Sequence, residues 1–373
     1  MAFSSLFNGD IPSLRTLVTT DVDILVPFTK PSGLVHLHIK MNYDLSECLI
    51  PTLANCPLLE TLTYAGPFFL DDVSADHVAE LPKLRQLSAG LVPREMHTFL
   101  SRISIPQSCQ MDLNASSDIA WGYNMLPKDA HLNLKCLSGI RRLEIHHSIN
   151  NRKDVDDDST ILLHAYRDVE AGAEKSLILN CRVNTFSSAA LYGYWRFDVS
   201  QVEVLVLTGL TMTNNYVPVL RVDMFRSLPA LKVLRAMNVY PPHAEALLYL
   251  LECLEYGGPA SDHANEVDPG ELPGDTQNEA DSRTDAPGEG EGETSSDKAA
   301  AGPLVCPMLS TLELYDIPQC RELPIALIEV VRLRQRGGIL QEVDLFNVGC
   351  PHERAQLRET LRSIAPEMTL SIE

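Results

Sequence analysis

Several short constellations in the chain carry residue types able to do chemistry, and their spacing decides what each could do. His36 and His38 alternate, so on a strand they share a face and offer two imidazoles to a metal ion. No Cys or carboxylate stands beside them at ligand spacing, which makes them a surface pair. His146 and His147 are consecutive and point to opposite faces if their strand continues. Cys350-Pro351-His352 supplies one thiol and one imidazole, too short and isolated for a zinc site. Asp156-Asp157-Asp158 lacks the spaced ligands and the glycine of a calcium loop. Gly288, Gly290 and Gly292 alternate with glutamates that would repel a phosphate, and no strand precedes them. No Gly-x-Ser-x-Gly, phosphate-loop or zincin pattern occurs. The expectation is a chain with no catalytic, cofactor or metal site.

The one basic concentration is Arg332, Arg334 and Arg336, with Arg321 nearby. On a helix these spread over the exposed side and suit the C-terminal turn before Gly337. A sharper use would be contact with an acidic partner or with the chain's own acidic stretch.

The elements that must carry these residues repeat. Phrases of the form Leu-x-x-Leu-x-Leu start at Leu14, Leu34, Leu59, Leu84, Ile140, Val202, Leu231, Leu251, Leu309 and Leu340. Weaker copies stand at Met111-x-Leu113, Leu177-x-Leu179 and Met368-x-Leu370. A spacing of roughly 20 to 34 residues is the period class of leucine-rich repeats, in which each copy supplies a strand and a returning helix or turn. One such strand cannot bury its leucines alone; copies stacked side by side make a parallel sheet over a continuous core. Between the phrases, Glu47–Leu53, Met96–Ile103, Pro242–Glu252 and Arg354–Ile364 show helical spacing, and Pro-x-Leu recurs just before strands at Pro12, Pro82, Pro229 and Pro307. The predicted fold is α/β: an irregular leucine-rich-repeat solenoid of about ten to twelve units, with a parallel sheet on its concave face and helices on its convex face.

Two zones interrupt the ladder. Asn150–Ser159 is a polar run that reads as an exposed loop. Between Gly257 and Pro303 twelve Asp and Glu stand against Arg283 and Lys298, a share of about half the chain's net charge of -20. That stretch has almost no large apolar side chain, so it cannot offset its ordering entropy and reads as a disordered acidic insertion. Three segments follow: an N-terminal solenoid part over 1–256, the insertion over 257–303, and a C-terminal solenoid part over 304–373.

Net charge of -20 over 373 residues argues against nucleic acid or an anionic membrane as main partner. The N-terminal residues lack the basic start and apolar run of a secretory signal, and nine cysteines without a Cys-x-x-Cys suit a reduced compartment, cytoplasmic or nuclear. What remains is surface. The residues between the leucines face outward along the concave side, and the candidate protein-binding set is Arg85, Gln86, Arg141, Arg142, Glu144, Lys232, Arg235, Glu313, Glu342 and Asp344.

The phrases CPLLETLTYAG (Cys56–Gly66), LPKLRQLSAG (Leu81–Gly90) and the unit Cys306–Cys350 resemble the repeats of fungal F-box/leucine-rich-repeat proteins. In the last unit Leu327, Val331, Arg334 and Arg336 precede Gly338, Leu340, Val343, Leu345 and Cys350, matching that family's helix-then-strand repeat. The resemblance implies a non-catalytic protein-recognition module like the substrate-binding repeats of a ubiquitin-ligase receptor, with a cullin-RING adaptor as a further partner. The chain enters a repeat by Leu14, so no F-box is expected in it, and a free repeat scaffold is the alternative. An enzyme with an unrecognised site is the rival from another class. The Asn that such repeats place after the strand stands at Asn42 and is replaced at Val22, Val92, Leu210, Val239, Ile317 and Val348, so the loops should be irregular.

Overall fold

A computed structural model describes residues 13–20, 32–41, 46–68, 78–115, 125–128, 130–149, 158–170, 172–184, 197–209, 222–237, 247–248, 250–251, 254, 305–317, 322–336 and 339–373. The expected acidic insertion, 257–303, lies outside them.

The leucine phrases become strands. In chain order these are β1 (Thr16–Thr20), β2 (His36–Lys40), β3 (Thr61–Ala65), β4 (Ala79–Glu80), β5 (Gln86–Leu91), β6 (Ile103–Ser104), β7 (Gln110–Ala115) and β8 (Arg142–Ile149). There follow β9 (Asp158–Tyr166), β10 (Lys175–Asn184), β11 (Val204–Thr208), β12 (Val233–Met237), β13 (Thr311–Ile317), β14 (Glu342–Val348) and β15 (Thr369–Ile372). Thirteen of them form one sheet in the order β1-β2-β3-β5-β7-β10-β9-β8-β11-β12-β13-β14-β15, and β4 pairs with β6 apart from it. Registers align the phrases residue for residue: Leu37, Leu62 and Leu87 fall in one row, and Leu205, Leu234, Leu312 and Val343 in another. These side chains are fully buried or nearly so and belong to one continuous apolar core.

The helices cover that buried face. They are α1 (Ser46–Ala54), α2 (Pro93–Ser101), α3 (Val222–Arg226), α4 (Leu323–Arg336) and α5 (Pro351–Ile364). Each turns a stripe inward, such as Met96, Phe99 and Leu100 in α2 and Leu327, Val330 and Val331 in α4. Proline at the first helical positions of α2 and α5 fits a place where no N–H is needed. The recurring prolines before strands have a local reason. In Leu81-Pro82-Lys83-Leu84 the Leu84 N–H donates to the Leu81 carbonyl at 3.1 Å, and the same closure joins Cys56 to Leu59, Leu228 to Leu231 and Cys306 to Leu309. Proline holds the second position of each four-residue turn, where its fixed φ is already correct.

Five expectations are corrected. The sheet is not parallel throughout: β9 is antiparallel to both neighbours, β10 and β8. The Leu177 phrase joins the ladder beside β7, not after β8, so the chain leaves β7, passes two strand places and returns through β8, β9 and β10. The polar run Asn150–Ser159 is not loop to its end, since Asp158 and Ser159 open β9. The Leu251-Leu254 phrase is no strand: both residues are helical, and Leu247, Leu250, Leu251 and Leu254 are all buried at helical spacing, while β12 pairs directly with β13.

The fifth correction is Arg334. It does not lie on the exposed side of α4 but is fully buried. Its guanidinium donates to the carbonyls of Cys306 (2.8 Å), Leu254 (3.1 Å) and Val305. Leu254 precedes the stretch 257–303 and Val305 follows it, so one side chain ties its two flanks together. Arg336 is exposed, and exposed Arg332 pairs with Glu329 one turn away.

Candidate functional site

Alternation along each strand puts one set of residues in the core and the other on the opposite, open face of the sheet. Reading across that face gives His164 on β9, Glu144 on β8, Val206 on β11, Arg235 on β12, Glu313 on β13 and Asp344 on β14, each in register with the next. Glu144 and Glu313 centre two clusters on this row.

The cluster around Glu144 draws on three strands. Arg142, two residues back on β8, pairs with Oε1. The Tyr166 hydroxyl donates to Oε2 at 2.7 Å, and its ring lies 5.3 Å below the Arg142 guanidinium. His146 Nε2 and His164 Nδ1 stand 3.6 and 3.5 Å from the same Oε2. Lys175 at the start of β10 reaches the far side of His164, with Nζ 3.3 Å from Nε2. Hydrogen bonds from His146 and His164, against a smaller cost of burial, hold the Glu144 carboxyl far below the usual carboxylate range. Burial and the bond to Glu144 push the Tyr166 phenol up.

The second cluster repeats the chemistry with different backbone geometry. Arg235 pairs with Glu313, the Tyr315 hydroxyl donates to Glu313 Oε2 at 3.0 Å, and Arg235 sits 5.8 Å from the Tyr315 ring centre. The bond to Glu313 raises the Arg235 pKa. Phe346 extends this patch beside Tyr315, with ring centres 6.1 Å apart, and is 45% exposed. Burial, and then the facing Glu313 charge, raise the Asp344 pKa. Glu313 and Val206 are buried even on this open face.

The other candidates fall on a separate row at the strand entrances. Arg141 and Lys232 both bind Glu203, the latter at 2.7 Å, and these three line a shallow pocket of about 270 Å³ with Ser200, Gln201, Ala230 and Met308. The Lys232 bond, then the Arg141 bond, lowers the Glu203 pKa. Arg85 reaches Glu60 only at 3.9 Å and is exposed. Gln86, also exposed, lies on β5, four strand places from β8. Glu342 is half-buried in register with Thr311 and Thr369.

The structure therefore gathers Arg142 with Glu144, and Arg235 with Glu313 and Asp344; it joins Arg141 to Lys232 through Glu203, and it leaves Arg85 and Gln86 apart. Sequence reasoning missed His164, Tyr166, Lys175 and Glu203. A signal for the first two was present: Ile161, Leu163 and Ala165 alternate with Leu162, His164 and Tyr166, the period of a strand. Cys56, Cys109, Cys136, Cys181 and Cys306 are buried free thiols, and burial pushes Cys136, Cys181 and Cys306 up to about 12. They pack as small apolar groups. Among the described residues no helix is long and apolar enough to cross a membrane. Comparison with family models, with curated proteins and with solved structures returns no match to this chain.

Proposed function

We propose that the chain is a non-catalytic protein-recognition module, built as an irregular leucine-rich-repeat solenoid and akin to the substrate-binding repeats of an F-box-type ubiquitin-ligase receptor. The observation that carries this reading is the open sheet face. Its two Arg–Glu–Tyr clusters and the exposed Phe346 run across β9, β8, β11, β12, β13 and β14 with no helix element between them. Aromatic and arginine side chains held rigidly by their neighbours are what anchor protein interfaces, since little rotamer freedom remains to be lost on binding. The span of this row suits a polypeptide partner better than a small molecule.

The test uses the full chain as bait in the native cell extract, beside a variant carrying Arg235→Ala, Tyr315→Ala and Phe346→Ala. Partners retained by the first and lost by the second establish this face as the recognition surface. Equal recovery with both overturns it. Recovery of the cullin adaptor decides for the ligase role, and its absence for a free scaffold.

A further inference from the structure

The Glu144 cluster supports a use beyond protein recognition. Glu144, His146 and His164 each offer one ligand atom, and these atoms all lie within 4.8 Å of one another. In a tetrahedral zinc site with bonds of about 2.0–2.1 Å, ligand atoms stand roughly 3.4 Å apart. Both edges that end on Oε2, at 3.6 and 3.5 Å, are already within a few tenths of that demand. Strand pairing sets this spacing: His164 is the register partner of Glu144, and His146 sits two residues on, on the same face. The rings of His146 and His164 meet edge-on, with centres 5.3 Å apart. We propose that Glu144, His146 and His164 bind a divalent transition ion of the zinc class, with its remaining position open toward the exposed side of the sheet.

The surroundings fit such a site. Two imidazoles and a carboxylate favour zinc-class ions over magnesium or calcium, which take oxygen ligands. Arg142 on Oε1 and the Tyr166 hydroxyl on Oε2 fix the carboxylate's orientation, as outer partners do for ligating carboxylates. His146, with a third of its side chain exposed, gives an ion a path from solvent. One neighbour opposes binding. Lys175 donates to His164 Nε2, so Nδ1 carries the ring proton and points it at Glu144. Ligation through Nδ1 moves that proton to Nε2 and forces the half-buried Lys175 ammonium to swing away. Removing this cation should therefore strengthen metal binding, a result that a purely structural hydrogen-bond cluster does not predict.

The experiment titrates zinc chloride into the metal-stripped full-length protein by calorimetry, with cobalt(II) as an absorbance probe and magnesium as the hard-ion control. The expected result is saturable binding of one zinc per chain, a visible cobalt spectrum, and preference over magnesium. His146→Ala, at a half-exposed position, should weaken zinc by at least about tenfold, and His164→Gln similarly, since even outer-shell losses cost about 10–100-fold. Lys175→Met should tighten it. Unchanged zinc affinity in His146→Ala places the ion elsewhere on this acidic chain and overturns the proposal, as does the lack of saturable binding or weaker binding by Lys175→Met. Should His164→Gln lose its fold by circular dichroism, His146→Ala and Lys175→Met decide alone.

Discussion

Replacing Arg334 by Met is the sharpest test of how this fold is held. Methionine keeps much of the side chain's length and its apolar contacts but removes the guanidinium. Three buried carbonyls then lose the guanidinium: those of Leu254 and Val305 lose this donor outright, while Cys306 keeps the Leu309 N–H. Each orphaned group costs about 1–3 kcal/mol. Offsetting this, the variant no longer buries a cation, and burial lowers the Arg334 pKa in the folded protein, a sign that the charge resists its site. Replacing whole buried ion pairs by apolar residues is often neutral, but there both partners go; here the carbonyls remain. The net expectation is a loss of about 2–4 kcal/mol, carried mainly by those orphaned carbonyls. Equilibrium unfolding in urea measures it as a lower midpoint at an unchanged slope. Arg334→Lys should recover only part, since one ammonium cannot fan out to three acceptors as a planar guanidinium does. A methionine variant within about 0.5 kcal/mol of wild type, the range of an ordinary surface substitution, would refute this account.

Three further outcomes are expected. Leu312→Ala, at a fully buried position of β13, should cost roughly 2–5 kcal/mol by the same unfolding assay, and a neutral effect would mean the sheet register is wrong. Gly209→Ala should cost more than Gly139→Ala: both backbones are left-handed, at φ 73° and 70°, but only at Gly209 would a Cβ overlap the His147 carbonyl, while Gly139 has open space. Equal melting temperatures for these two variants would contradict that packing. Asp344→Asn should be more stable than wild type at pH 7. The folded-state pKa is raised, so the charged form is penalised in the fold; stability is lost as pH rises past the unfolded value of about 3.9, and the neutral amide escapes this. Thermal melts should show the advantage at pH 7 and its disappearance below about pH 4.

The parallel strands were legible because their leucines must share one buried face, and a six-residue phrase with three apolar anchors admits few other arrangements. The same phrase misled at Leu251, because a spacing of three residues suits a helix as well as a strand. There the preceding Leu247 and Leu250 settle the matter by extending a helical stripe. β9 escaped because its apolar residues, Ile161-Leu162-Leu163 and then Ala165 and Tyr166, never form the leucine phrase. Arg334 also had a signal. It stands seven residues after Leu327, on the stripe that buries Val330 and Val331, so helical geometry points it inward whatever its charge. Its acceptors were not legible: Leu254 is 80 residues away, and Val305 and Cys306 are 29 and 28. The missing Asn is compensated one residue earlier, where Gly209, Asp316 and Asn347 all take a left-handed backbone and Asn347 bonds Asp316 at 3.0 Å. Glu144 was foreseen and its cluster was not, since two of its partners arrive on the unforeseen strand.

The reversal through β8, β9 and β10 bears on how the chain reaches this state. In the finished sheet β8 stands three strand spacings from β7, roughly 14 Å away. β9 and β10 fill that gap backwards, and β10 joins the meander to β7. The meander is local in sequence and closes quickly, on the scale of microseconds for a hairpin, whereas the flanking parallel pairs wait on longer loops. It is thus the natural nucleus from which the sheet grows both ways, toward β1 and toward β15. A mutation there, such as Leu163→Ala, should slow refolding, while one in β1 or β15 should mainly hasten unfolding.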